Sequence, residues 1–219
     1  MNQAAKEKLL GGAKQLGIEL TAAQLGKFHL LADELQKWNK KINLTAIRGD
    51  EEIVVKHFLD SLTLLRLVGA QGALLDIGSG AGFPGIPVKI VRHDLQVISV
   101  DAVDKKVIFQ RHAARALALH GFEGVHARAE ELAAKYAGRF DWVVSRAFSD
   151  IPTFARIALP LVRERGKIVA MKGKSGEEEA MAAAASLDDL GLKVSEVIKF
   201  ALPYSGDSRS FVVIEKIMT

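Results

Sequence analysis

Apolar residues recur at helical spacing along the first 70 positions, then gather into short runs separated by polar, amphipathic stretches. Leu25, Phe28, Leu31, Leu35, Trp38 and Ile42 lie 3, 3, 4, 3 and 4 residues apart. That spacing lines one face of an amphipathic helix, and core packing accounts for it, Trp38 included. Gly49-Asp50 offers an N-cap, so a further helix is predicted from there to Val68, just ahead of Gly69. From Ala73 the pattern changes. Strands are predicted at 73–77, 96–100, 124–128, 140–145 and 167–172, with helices at 104–119, up to Tyr136, at 154–162 and at 177–187. Two β-rich segments, 193–201 and 210–217, close the chain with no helix between them and are expected to pair antiparallel. Such alternation predicts an α/β fold, doubly wound and Rossmann-like, with a mostly parallel sheet and an antiparallel C-terminal strand. The expected organisation is a helical extension over 1–70 and a compact ligand-binding unit over 71–219.

The first strand runs into Asp76-Ile77-Gly78-Ser79-Gly80-Ala81-Gly82-Phe83-Pro84-Gly85. Glycines let the backbone turn sharply and approach a ligand closely. Pro84 and Pro87 suit the first turn of a helix. A strand, glycine loop and helix in this order grip a nucleotide-like ligand in a doubly wound sheet. The loop departs from a dinucleotide fingerprint in two ways: an acid, Asp76, stands two residues before Gly78, and Phe83 stands where the third glycine is wanted. A carboxylate there repels pyrophosphate and suits a cation. S-adenosylmethionine, with an ammonium, a sulfonium and no phosphate, fits, and Asp76, Gly78, Gly80 and Phe83 are the loop's candidate cofactor residues. Asp101, 25 positions beyond Asp76 at the next strand end, is a candidate for ribose hydroxyls, against the alternative of a charge at a helix N-terminus.

Composition narrows the class. The 219 residues are 49% hydrophobic, enough for a substantial core, and no run approaches the roughly 20 apolar residues of a membrane span. The first ten residues are polar and lack the apolar stretch of a signal peptide, so a cytoplasmic location is expected. Thirty Lys and Arg against 26 Asp and Glu give a formal charge of +4, which permits an anionic partner such as RNA without requiring one. With no cysteine there is no disulfide, thiolate metal site or thiol nucleophile, and no metal site is assigned.

Two further strand ends carry candidates. Ala129-Glu130 follows the third strand and suits either an adenine contact or a pair of first-turn helix charges. Arg146 follows the fourth, beyond the carboxyl ends of strands where ligands bind, and as a cation there it needs a partner, for which Asp76, Asp101, Glu130 or a nucleic-acid phosphate are candidates. Absences limit the chemistry. Methylation of a pyrimidine C5 requires a cysteine nucleophile, and none exists. Amino-group methylation in this fold uses an Asn/Asp-Pro-Pro-aromatic corner where this chain has Ser145-Arg146-Ala147-Phe148. Guanine N7 has a free lone pair and no proton to lose, so for it catalysis reduces to alignment, and the lack of a recognisable general base is consistent.

Taken together, Trp38-Asn39, Asn43-Leu44-Thr45, His57-Phe58-Leu59-Asp60-Ser61, Asp76 to Gly85, Ala129-Glu130, Ser145-Arg146-Ala147 and Lys172-Gly173 give a chain that resembles the bacterial small-subunit ribosomal RNA guanine-N7 methyltransferases, over nearly its whole length. The resemblance implies an S-adenosylmethionine-dependent enzyme with cofactor contacts at Gly78, Phe83, Ala129, Glu130 and Arg146. It also implies a guanine in the decoding-region loop of 16S ribosomal RNA as substrate. His57, Asp60 and Ser61 fall on one face of their helix, and family position sets them near the substrate mouth with Asn39 and Asn43; Lys172, at the fifth strand end, is a candidate phosphate contact. The expected partner is 16S ribosomal RNA or the small ribosomal subunit, with the protein acting as a monomer. A protein that holds cofactor and RNA without chemistry is the alternative, followed by a nicotinamide-dependent oxidoreductase.

Overall fold

The computed structural model describes residues 1–146, 148 and 150–217; Ala147, within the Ser145-Arg146-Ala147 motif, lies outside them. Helix α1 (Gln3–Gln15) starts where the Asn2 side chain accepts from Ala5 N at 2.8 Å. Helix α2 (Ala22–Ile42) opens on a reciprocal capping box, Gln24 N to Thr21 Oγ1 and Thr21 N to Gln24 Oε1. Its predicted stripe faces inward: Phe28, Leu31 and Leu35 are buried, and the half-buried Trp38 meets Phe109 edge-on.

The segment predicted as one helix from Asp50 to Val68 is four short pieces. An α-helical turn, α3 (Asp50–Ile53), leads into a π-helix (Val54–Leu59), then α4 (Asp60–Leu62) and a 3₁₀ turn (Thr63–Arg66). Apolar periodicity does not separate these helix types, because the wider π turn shifts side chains only locally.

The strands are β1 (Ala73–Ile77), β2 (Gln96–Asp101), β3 (Phe122–His126), β4 (Phe140–Ser145), β5 (Val162–Lys172), β6 (Leu192–Ala201) and β7 (Ser208–Lys216), in the spatial order β3-β2-β1-β4-β5-β7-β6. The first five run parallel, and β7 inserts antiparallel between β5 and β6. Between them lie α5 (Gly85–Val91), α6 (Asp104–Ala116), α7 (Ala133–Tyr136), α8 (Ile151–Ala158) and α9 (Gly176–Asp188). Strand β5 begins at Val162, where a helix end was predicted. Val162 pairs with Phe140, and a register shift absorbs the charged residues that follow. Gly166 permits this, since a Cβ there would stand 2.8 Å from the Phe140 carbonyl oxygen.

Alternation along the strands divides the core between two faces. Val144 and Val169 point to the layer of α1, α2, α5 and α6; Val143 and Ile168 point to α7, α8 and α9. Residues of the N-terminal helices, Leu9, Phe28, Phe58 and Leu59 among them, share one buried cluster with the sheet. All parallel strands therefore end on one edge, which carries both the glycine loop and Arg146.

Candidate functional site

The glycine loop is tied down from three sides. Gly78 N and Ser79 N both donate to the Val100 carbonyl, at 2.9 and 3.0 Å. Asp101 Oδ2 accepts from Gly80 N at 2.8 Å, and its Oδ1 accepts from Val103 N at 2.9 Å. Gln110, on α6 and fully buried, donates from Nε2 to Ser79 Oγ (2.8 Å) and to the Gly80 carbonyl (2.7 Å). Gly80 has φ +60° and open space where a side chain would be, while a Cβ on Gly82 (φ +88°) would collide with Ile86 at 2.4 Å. One glycine thus leaves room for a ligand and the other lets α5 pack against the loop.

Asp76 lies beneath this loop with no exposure to solvent. Its Oδ2 accepts from Gly85 N at 2.8 Å, and its Oδ1 is buried with no hydrogen-bond partner among the described residues. Burial raises its carboxyl to about pH 7; the Gly85 N–H and the Arg146 charge oppose the rise, and Asp101 adds to it. Ala129 and Glu130 stand on a 3₁₀ turn (Ala129–Glu131) just after β3, where Asp101 and His126 are in register. Ala129 is half-buried and Glu130 exposed. Asp76, Gly78, Gly80, Asp101, Ala129 and Glu130 therefore gather along one edge of the sheet.

A second feature adjoins them: a cleft of about 450 Å³ beyond the ends of β4 and β5. Ile47, Met171, Phe200 and Phe211 form its apolar wall, and Lys56, Arg146, Lys172 and Arg209 contribute four cations against the carboxylates of Asp60 and Asp207. The partner of Arg146 is none of the acids proposed from sequence. Its Nη1 donates to Asp60 Oδ2 at 2.9 Å, 86 positions earlier in the chain. Arg209, from β7, occupies the other oxygen, Nε to Oδ1 at 2.9 Å. Lys172 is buried, bonded to the Phe148 carbonyl (2.9 Å) and paired with Glu179 (2.7 Å), so it is no solvated strand-end lysine.

His57 joins the two features. It lines the cleft, and its ring is stacked on Phe83 of the glycine loop, with centroids 4.4 Å apart and planes parallel. Phe83 is itself buried, inside the shared core. Thr45 Oγ1 lies 3.0 Å from His57 Nε2 and also accepts from Ile47 N. Thr45 in turn is fixed by Asn39, whose amide donates to the Thr45 carbonyl (2.8 Å) and accepts from its N–H (2.9 Å). Asn39 therefore acts on the cleft through the Asn43-Leu44-Thr45 turn. Burial lowers the His57 pKa to about 3, and the charges of Arg146 and Lys56 add to the effect, so the imidazole is neutral at physiological pH. Ser61, the last residue of the His-x-x-Asp-Ser segment, bonds back to the His57 carbonyl at 2.5 Å and does not line the cleft.

Sequence reasoning missed Asp60 as the partner of Arg146, and it missed Gln110 altogether. A glutamine in an amphipathic helix carries no signal. The only trace is Gly124, where a Cβ would press on Gln110 Oε1 at 3.2 Å.

Residues 24–209 match the family described as GidB, rRNA small subunit methyltransferase G. The chain is 63% identical over 217 residues to the ribosomal RNA small subunit methyltransferase G of Geotalea uraniireducens, covering 99% of both chains. It is 59% identical over 214 residues to the protein of the same name from Geobacter metallireducens, covering 98% of this chain and 97% of the other. Among solved structures, a SAM-dependent methyltransferase from Aquifex aeolicus superposes with a TM-score of 0.58 at 15% identity, over 84% of this chain and 97% of that one. The last likeness is one of fold.

Proposed function

Because this chain belongs to the rRNA small subunit methyltransferase G family, we propose that it methylates N7 of a guanine in the decoding-region loop of 16S ribosomal RNA. S-adenosylmethionine is the cofactor and supplies an electrophilic methyl group on a sulfonium centre. The observation that carries the reading is the junction of two different surfaces, a loop governed by carboxylates and a cleft governed by guanidiniums, across the His57–Phe83 stack. The first suits a cationic nucleoside and the second suits RNA.

The residues fit the cofactor. Asp76 brings a buried carboxyl whose unpartnered Oδ1 gains from a nearby cation. Gly78 and Gly80 offer backbone at close approach, Asp101 receives ribose hydroxyls, and Ala129 with Glu130 meets the adenine edge. Phe83 shapes the floor from beneath. Arg146, whose charge reaches both Asp76 and His57, orders the passage from loop to cleft.

The acceptor needs alignment and no base, because N7 carries its lone pair already. In this reading residues 1–70 form the extension that supplies Ile47, Lys56, His57 and Asp60 to the cleft, and 71–219 form the cofactor-binding unit. Neutral His57 and the Asn39–Thr45 turn set the wall, and Lys172 and Arg209 face the RNA. The protein acts as a cytoplasmic monomer on 16S RNA or on the small subunit that carries it. Among the described residues, no helix is long and apolar enough to cross a membrane.

Mass spectrometry of ribosomal RNA from cells lacking the gene tests the reading against a protein that binds without chemistry. Loss of one 7-methylguanine is expected. Unchanged RNA would identify a binding module instead.

A further inference from the structure

Asp60 is 4% exposed and sits where three distant parts of the fold converge: α4 carries it, Arg146 arrives from the end of β4, and Arg209 arrives on β7. Each carboxylate oxygen takes one guanidinium, both at 2.9 Å. The arginines are fixed further. Arg146 Nη1 donates to the Lys56 carbonyl at 3.2 Å, Arg209 Nη1 donates to the Ser208 carbonyl at 3.2 Å, and Arg209 Nη2 lies 3.6 Å from Asp207 Oδ2. Their side chains keep 28% exposure each, and Nε and Nη2 of Arg146 have no partner among the described residues.

From this arrangement we infer that Asp60 sets Arg146 and Arg209 as a two-guanidinium clamp for a phosphate of the bound RNA, at the mouth of the acceptor cleft. The inference rests on the RNA-methylating reading above. Three physical points support it. A single buried carboxylate is costly unless paired, and two arginines offset that cost; the remaining positive charge faces only the 45% exposed Asp207, 3.6 Å from Arg209 Nη2, a pair that solvent weakens. Planar guanidiniums present forked donors that match phosphate oxygens, and a fork held at one edge loses less freedom on binding. The cleft lining holds four cations and two carboxylates, with Lys56 and Lys172 also paired to Glu52 and Glu179 behind it, and an apolar wall beside them large enough for a base. Asp60 is then a positioning residue, since it acts on RNA through the arginines.

The inference makes a prediction that simple charge reasoning opposes. Removing a negative charge from a cationic cleft should tighten RNA binding, whereas losing the clamp's anchor should weaken it. The experiment measures binding of 16S ribosomal RNA across a salt series, with protein saturated by S-adenosylhomocysteine, for wild type and three variants. Asp60→Asn is expected to bind RNA about tenfold more weakly, a difference of roughly 1.4 kcal/mol. Arg209→Lys, which keeps the charge and loses the fork, is expected to weaken by a similar factor with its salt slope retained. Arg209→Ala is expected to flatten the slope of log K against log salt by about 0.7 to 0.9, one phosphate contact. Calorimetric affinity for S-adenosylhomocysteine should stay within about twofold of wild type in both Arg209 variants.

RNA binding by Asp60→Asn that equals or exceeds wild type would overturn the clamp, as would wild-type binding by Arg209→Lys. Parallel loss of cofactor affinity in Arg209→Lys would also overturn it, since the pair would then be general structural glue. Wild-type protein that shows the expected binding pattern yet transfers no methyl would defeat the reading of function and leave the clamp standing.

Discussion

The imidazole of His57 lies flat on the phenyl ring of Phe83, ring centroids 4.4 Å apart with parallel planes. One residue belongs to the cleft beyond β4 and β5 and the other to the glycine loop, so this contact couples the two features. His57→Ala leaves a void against Phe83 and frees Thr45 Oγ1. It is expected to cost about 2 kcal/mol in urea denaturation and to lower methyl transfer about tenfold. His57→Phe, which keeps a stacked ring, should recover most of the stability. Equal stability of wild type and the alanine variant would show that the stack does not hold the loop.

Two buried groups titrate in opposite senses. The His57 pKa falls from 6.5 to about 3, so between those values only the unfolded chain takes up a proton; this contribution to stability is present above 6.5 and lost as pH falls. The Asp76 pKa rises from 3.8 to about 7, so the folded chain keeps a proton that the unfolded chain releases, and stability is lost as pH rises through that window. Each slope is about 1.4 kcal/mol per pH unit, and they largely cancel where the windows overlap. Denaturation of His57→Phe should therefore show stability falling with pH between 3.8 and 6.5, and that of Asp76→Asn should show it rising. Flat profiles for both variants would mean that neither group is held as buried as it stands here.

Gln110 fixes the Ser79–Gly80 turn by two donated bonds. Gln110→Glu removes the donor while conserving shape, and buries a carboxyl against a hydroxyl and a carbonyl. S-adenosylmethionine affinity measured by calorimetry is expected to fall at least tenfold, with the KM for RNA little changed. A loss confined to RNA would place Gln110's influence on the wrong side of the site.

Glu130 stands exposed on the turn after β3. Glu130→Ala should leave the melting temperature within about a degree, since exposed substitutions seldom exceed 0.5 kcal/mol, and weaken cofactor binding several-fold. Unchanged affinity would remove its assignment to adenine.

Much of this was legible in the chain because it rests on local pattern. Alternating apolar runs marked the parallel strands, and Asp76 with the glycines marked the tight loop from β1 into α5. The pairing of β7 between β5 and β6 was not, because an antiparallel hairpin at the chain's end has no local signal for which of its strands meets the sheet. Nor was the π-helix at Val54–Leu59, since apolar spacing looks alike for α and π turns over six residues. Arg146 needed a partner on physical grounds, but Asp60 lies 86 positions away, and only the fold brings them together. Lys172 stood as a candidate phosphate contact with no partner in view, since Glu179 is brought to it only by the turn from β5 into α9.

The central claim is that this site delivers a methyl group to guanine N7. Purified protein incubated with labelled S-adenosylmethionine and small ribosomal subunits, or their RNA, from cells lacking the gene tests it directly once the labelled nucleotide is mapped. The expected result is one 7-methylguanine in the decoding-region loop of 16S RNA. Label on another base or another atom, or no label under conditions where the cofactor binds, would contradict it.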